Sequence, residues 1–241
     1  MLLYGFIENN IHLGSRIYGY LETEYNELIN GELMKLYGVG NSRSFRTIWA
    51  AEEAVITYEY VGVEFGGTGE SGSSGSTYRQ LNYQGKVPTM IDGELVLTES
   101  AAIVNYIATK NIALNLIPKA DSAERALYDQ LVFFVLTDLE QPLWTNGKHR
   151  FAIPEKWRVP KILETTKWEF EKSQKALKNM IGAEPEFALD DHFTMADILV
   201  AHTLNWADSF KFELHDGFRA YKNRMIERVA YQAALTKLKA E

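Results

Sequence analysis

Lys86-Val87-Pro88-Thr89-Met90-Ile91-Asp92-Gly93-Glu94-Leu95-Val96-Leu97-Thr98-Glu99-Ser100-Ala101-Ala102-Ile103-Val104-Asn105-Tyr106 decides the fold. It reads as strand, tight turn, strand, then helix. Residues 87–91 and 95–97 are short apolar runs, and Asp92-Gly93 between them is a dipeptide preferred where a hairpin needs positive φ. Thr98-Glu99-Ser100 gives a polar entry to a helix of Ala, Ile, Val and Tyr, where a capping side chain can satisfy first-turn N–H groups. Those amides and the helix dipole make a ready anion site. Pro88 opens a strand and has no N–H for the ladder. Two readings are open for it: a proline tolerated at a strand start, or a cis peptide that turns the Val87 backbone toward a ligand. Spacing alone favours the first, because cis is the minority state even at X–Pro bonds.

Working outward, the pattern is orderly from Met34 onward. Residues 36–39 read as a strand, Gly40-Asn41-Ser42 as a loop, and 44–54 as a helix with Phe45, Ile48, Trp49 and Glu52 at helical spacing. Residues 57–65 alternate as a second strand, which completes a β-α-β unit with a right-handed crossover. The Gly/Ser-rich residues 66–76 read as a flexible surface loop. A short helix over 78–83, closed by Gly85, leads into the hairpin and a helix over 100–109. This β-α-β, then β-β-α order is thioredoxin-like.

Beyond a linker at 111–117, no segment reads as a strand. Asp121, with Glu124 three residues on, is placed to cap a helix whose Leu127, Leu131, Phe134 and Val135 share a face. Leu163, Phe170, Leu177 and Ile181 form another seam, and Pro142, Pro154 and Pro160 break the stretch between the two. Thr194 and Asp197 have capping-box spacing, with Phe193 and Ile198 at the staple positions. The apolar residues that follow, to about Trp206, predict a central buried helix, and a last helix is expected over 221–238. The domains are therefore 34–110, mixed α/β, and 118–241, all helical. Residues 1–33 are read as an extension, either added by a wrongly chosen start codon or packed on the body.

The 241 residues are 46% apolar, enough for a sizeable core, and the net charge of −7 argues against nonspecific nucleic-acid binding. There are no cysteines, so disulfides, a Cys-based metal site and a Cys nucleophile are excluded. The five His residues are dispersed without metal-ligand spacing, so no metal is expected. No stretch reaches the roughly 20 apolar residues of a membrane helix. Arg16 is the first basic residue and the apolar run at 2–7 is short, so no secretory signal is expected.

The run Gly85-Lys86-Val87-Pro88-Thr89, the acidic-Gly hairpin and Thr98-Glu99-Ser100-x-Ala-Ile-x-x-Tyr106 together resemble the glutathione-binding half of the glutathione S-transferase superfamily. The Thr194-x-x-Asp197 box resembles the one these proteins carry in their helical domain, where it serves folding. Arg228-Val229-Ala230 stands where many relatives have Arg-Pro-Ala. The resemblance covers most of 34–240. It implies a thioredoxin-like N-terminal domain followed by an all-α C-terminal domain, in a cytoplasmic homodimer of the Ser type. The co-substrate is then glutathione and the partner a small hydrophobic electrophile, with neither nucleic acid nor membrane involved.

The implied chemistry is thiolate generation. A thiol like that of free Cys titrates near about 8.5, so little is ionised at neutral pH. One hydroxyl donating to the sulfur is worth ~1.5–3 kcal/mol, or roughly one to two pKa units. Ser42, between the first strand and helix and four residues before Arg46, is the expected donor; its other reading is a helix N-cap. Asn41 and Ser44 are rivals, and Tyr37 a weaker one. The resemblance assigns Glu99 and Ser100 to the γ-glutamyl end and the Val87 backbone to the cysteinyl backbone. Lys86 meets the glycyl carboxylate or is a solvated surface lysine. Phe133, Phe134, Trp144, His149, Trp157 and Trp206 are candidates for the electrophile's surroundings by region only. Besides conjugation, glutathione-dependent peroxide or disulfide reduction and a non-catalytic binding or regulatory role remain open.

Overall fold

A computed structural model describes residues 33–189 and 191–239. Apart from Leu33, the extension read over 1–33 lies outside the described residues. Two compact units divide after Asn115, with residues 237–239 belonging to the first.

The first unit is built on a four-stranded sheet of order β2-β1-β3-β4, with β1 at Met34–Gly38, β2 at Tyr58–Gly62, β3 at Thr89–Asp92 and β4 at Leu95–Thr98. β1 pairs in parallel with β2 and antiparallel with β3, and β3 pairs antiparallel with β4. Helix α1 (Phe45–Glu53) makes the crossover between β1 and β2. Its Phe45, Ile48 and Trp49 are buried, and so are Ile103, Val104 and Ile107 of helix α3 (Ser100–Lys110), against which α1 packs. Ala50 and Ala51 of α1 and Ala54 just after it are also buried, where small side chains permit close approach. The unit is thioredoxin-like, with a mixed four-stranded sheet and helices.

Several local expectations are corrected. The hairpin turn is Gly93-Glu94, with Gly93 at φ +58°, because Asp92 still pairs with Leu95. The Asp92 carboxylate is instead tied to helix α3, accepting from the Tyr106 hydroxyl and pairing with Lys110. Burial opposes its ionisation, but those two partners hold its pKa below the usual carboxylate value. Residues 66–76 form a tight loop rather than a loose one. The Glu64 N–H donates to Ser71 O at 2.8 Å, Ser74 N–H to Gly67 O at 2.9 Å, and Gly66 N–H to Ser73 Oγ at 2.8 Å. A Cβ at Gly72 would lie 2.1 Å from Gly67 O, and one at Gly75 2.2 Å from Gly69 O. The glycines serve close backbone approach here, which composition alone reads as flexibility.

The second unit is helical among its described residues. Helix α4 (Ala123–Phe134) is capped by Ser122, whose Oγ accepts from the Arg125 N–H at 3.0 Å. Asp121, the expected cap, has a φ of +66° one residue earlier. The buried face of α4 is Tyr128, Leu131 and Val132, continued by Val135, while Leu127 is 55% exposed. Pro142 does not break the chain's helical course. A π turn at Val135–Leu139 precedes helix α5 (Gln141–Gly147), and Pro142 sits in the first turn of α5. A helical proline leaves the carbonyl four residues back without its N–H. That carbonyl belongs to Asp138, and it accepts from the Ser173 hydroxyl of helix α6 (Ile162–Ile181) at 2.9 Å. In the α6 seam Phe170 and Leu177 are buried, with Thr166, Ser173 and Gln174 beside them.

Helix α7 (Met195–Ser209) is buried on all sides over its first ten residues, as expected of a central helix. Its capping box is present at Thr194 and Asp197. Asp197 Oδ2 accepts from Thr194 N–H at 2.8 Å, and Oδ1 accepts from Ala188 N–H at 2.7 Å and the Tyr221 hydroxyl at 2.8 Å. Burial nevertheless pushes its pKa up to about 6 against these donors. The expected last helix is two helices, α8 (Asp216–Ile226) and α9 (Val229–Lys239). The break is stabilised by Gln232, whose Nε2 donates to Ile226 O at 2.7 Å.

Two outcomes follow from these ends. Asp197→Asn puts an NH2 group against buried donors and should cost about 1–3 kcal/mol in denaturant unfolding. The folded wild type holds a proton on Asp197 that the unfolded chain releases between pH ~4 and ~6. The wild type's advantage over Asp197→Asn should therefore shrink as pH rises through that window. Val229 is the first residue of α9, where the N–H has no intrahelical acceptor. Val229→Pro should raise stability by roughly 0.4–1 kcal/mol in the same assay.

Candidate functional site

Strand register brings three segments to one end of the sheet. Tyr37 of β1 pairs with Thr89, and Thr89 pairs with Thr98 of β4. The residues just beyond these pairs are neighbours: Gly38 with the loop after it, the Val87–Pro88 peptide, and Glu99-Ser100. The Val87–Pro88 bond is cis, against the expectation from spacing. Helix α1 is tied to the start of α3 by Arg46, whose Nη1 donates to Ser100 Oγ at 3.3 Å. Both side chains are buried. Val87, Glu99, Ser100 and the Ser42 loop thus share one region, and the Lys86 side chain is exposed beside it.

The start of α3 has no side-chain cap, contrary to the capping role expected at 98–100. Glu99 occupies the N-cap position at φ +69°, and Ile103 N–H donates to its carbonyl at 3.0 Å. A non-glycine residue there carries strain on the order of 1–3 kcal/mol. Its side chain is exposed. The first-turn amides keep the positive end of the helix dipole beside a buried serine hydroxyl and an exposed carboxylate. Such an arrangement takes an anionic group at the amides and a cationic one at Glu99.

A network that sequence reasoning missed holds the Val87–Pro88 segment. Tyr78 and Asn82 lie on, and just after, helix α2 (Ser76–Leu81). The Tyr78 hydroxyl and Asn82 Nδ2 donate to Lys86 O at 2.7 and 2.9 Å. The Tyr78 hydroxyl is also 2.9 Å from Thr89 Oγ1, to which Asn82 Nδ2 donates at 3.2 Å. With its proton on Lys86 O, the phenol accepts from Thr89. Burial raises its pKa. The spacing of Tyr78 and Asn82, one helical turn apart before a Gly-Lys-x-Pro run, was the available signal.

In the first loop, Ser44 rather than Ser42 occupies the helix N-cap position, and its side chain makes no capping bond. The helix begins at Phe45, one residue later than expected. Ser42 Oγ accepts from the Ser44 N–H at 3.2 Å and lies 2.9 Å from Ser44 Oγ. Ser42 is half-buried, Asn41 is exposed, and Ser44 is fully buried. Tyr37 stacks at a tilt on Tyr78, with ring centroids 6.1 Å apart. In the helical unit, Phe133 and Trp157 are exposed, Phe134, Trp144 and Trp206 are half-buried, and His149 Nδ1 accepts from Val159 N–H at 3.1 Å. Among the described residues no group of three or more His, Asp or Glu side chains could hold a metal ion. No described helix is long and apolar enough to cross a membrane.

The first unit is thus a thioredoxin-like domain with a cis-proline edge and an open helix start. Residues 32–109 match the family model described as glutathione S-transferase, N-terminal domain. Glutathione S-transferase D7 of Anopheles gambiae is 32% identical over 144 residues, covering 56% of this chain and 60% of that protein. Glutathione S-transferase GstA of Escherichia coli O157:H7 is 27% identical over 169 residues, covering 68% and 79%. Among solved structures, the theta class enzyme of Xanthomonas axonopodis pv. citri, with glutathione bound, is 28% identical at a TM-score of 0.67, covering 84% and 97%. The glutathione transferase of Methylococcus capsulatus is 24% identical at a TM-score of 0.75, covering 87% and 100%, a likeness of fold. Over residues 32–109 the chain is thus similar to the N-terminal domain of glutathione S-transferases, and its fold resembles that of solved glutathione transferases.

Removing the phenol that holds Lys86 O tests the support network. Tyr78→Phe should cost about 1–2 kcal/mol of stability. It should also speed amide exchange at Val87 and Thr89 more than in β2; a uniform change over the sheet would count against the local role.

Proposed function

We propose that the protein is a glutathione transferase that conjugates the glutathione thiolate to a small hydrophobic electrophile. The carrying observation is the convergence, set by the pairs Tyr37–Thr89 and Thr89–Thr98, of the Ser42 loop, Val87–Pro88 and Glu99-Ser100. In this reading the γ-glutamyl carboxylate sits at the amides of Ser100 and the α3 start, with the Ser100 hydroxyl donating to it. Glu99 pairs with the α-amino group. The cysteinyl backbone aligns with Val87 as an added strand does, and Lys86 meets the glycyl carboxylate. Ser42 donates to the sulfur, stabilising the thiolate over the thiol. The thiolate attacks the electrophilic carbon, a C–S bond forms, the leaving group departs with the electron pair, and the thiol proton has gone to solvent. The related structure with glutathione bound supports the ligand. The functional unit is a cytoplasmic homodimer in this proposal, by analogy with the superfamily.

The test is retention on immobilised glutathione followed by turnover. Retention with conjugation of a generic aryl halide is the expected result. Turnover of disulfides or peroxides alone would replace it with a reductase, and no affinity at millimolar glutathione would leave a binding or regulatory protein. Ser42→Ala should still fold, at some loss of stability because Ser42 Oγ accepts the Ser44 N–H, and should lower the bound thiolate fraction at pH 7 about tenfold or more, the worth of one charged hydrogen bond. Thiolate absorbance against pH measures this; an unchanged titration removes Ser42 from the role.

A further inference from the structure

We propose that Ser44 is a positioning residue whose hydroxyl donates a hydrogen bond to Ser42 and so commits Ser42 to donating. This rests on the reading of Ser42 as the sulfur's partner.

The polarity of the serine pair follows from counting donors and acceptors. A hydroxyl has one proton and two lone pairs. Ser44 is fully buried, and its Oγ accepts the Val39 N–H at 3.2 Å. Its other contact among the described residues is Ser42 Oγ at 2.9 Å. If Ser42 were the donor of that contact, the buried Ser44 proton would have no acceptor there, which costs free energy. The Ser44 proton therefore goes to Ser42 Oγ. That oxygen also accepts the Ser44 N–H at 3.2 Å, so both its lone pairs are engaged.

With both lone pairs engaged, Ser42 Oγ takes part in any further hydrogen bond only as the donor. It cannot act as a base toward a thiol, and the sulfur it favours is the thiolate. A hydroxyl that itself accepts two bonds is polarised as a donor. The pair is held in place by close packing: a Cβ on Gly38 would fall 2.5 Å from Ser44 Cβ. Ser44 is too deep to meet a ligand directly, which separates its role from that of Ser42.

The test titrates the thiolate of bound glutathione by difference absorbance in Ser44→Ala, Ser42→Ala and the double variant, with melting checked for each. Ser44→Ala should lower the thiolate fraction at neutral pH about threefold, less than Ser42→Ala. It should change nothing further when Ser42 is already Ala, because it acts through that residue. Ser44→Cys keeps the shape with a weaker donor and serves if the alanine variant does not fold; it too should lower the fraction. A normal titration in a folded Ser44 variant overturns the relay while leaving Ser42 as the donor. An added loss in the double variant overturns it as well, since Ser44 then acts independently. If Ser42→Ala itself titrates normally, the donor reading and the relay both fail.

Discussion

The pairing of Thr89 with Tyr37 on one side and Thr98 on the other is the constraint on which the candidate site depends. Side chains alternate along a strand, so a slip of one residue would move every side chain of β3 to the opposite face. It would also carry Val87–Pro88 away from Glu99-Ser100. The register is held from outside the ladder as well as within it. Tyr78 and Asn82 grip Lys86 O and Thr89 from one end, and the Asp92–Tyr106–Lys110 cluster anchors the hairpin to α3 at the other. Neither clamp needs to touch a ligand to set where one fits.

The same economy appears around the first helix. Gly38 has no side chain, and Ser44 occupies the space one would take. The buried serine in turn fixes the Val39 amide and Ser42. One turn on, Arg46 reaches Ser100, so a single helix links the segment proposed to hold sulfur with the one proposed to hold carboxylate. In the helical unit, polar side chains likewise repair what the chain's path leaves open. Ser173 satisfies the carbonyl beneath Pro142, and Asp197 gathers donors from three separate segments.

Much of the fold was legible because its signals are local. The short strand read at 36–39, the Gly of the hairpin, the apolar period of α1 and the Thr194–Asp197 box each depend on residues a few positions apart. The misreadings share a cause: a local rule met a distant partner. Pro142 reads as a breaker until Ser173 is seen on another helix, and the Gly/Ser-rich 66–76 reads as loose until its backbones are found in contact. Asp121 and Ser122 are both competent caps, and the chain's entry path, with Asp121 at positive φ, chose between them.

The sequence by itself determined the order of most elements and offered candidate site residues, because hydrophobic period, turn chemistry and motif spacing are properties of neighbouring residues. Tertiary structure decided the isomer of the Val87–Pro88 bond, the tie of the buried Arg46 to Ser100, the Tyr78–Asn82 clamp and the approach of Ser42 to a buried Ser44. Each of these depends on which groups are brought together and shut off from water, and a buried hydroxyl or carbonyl must then find its partner wherever the fold has placed one.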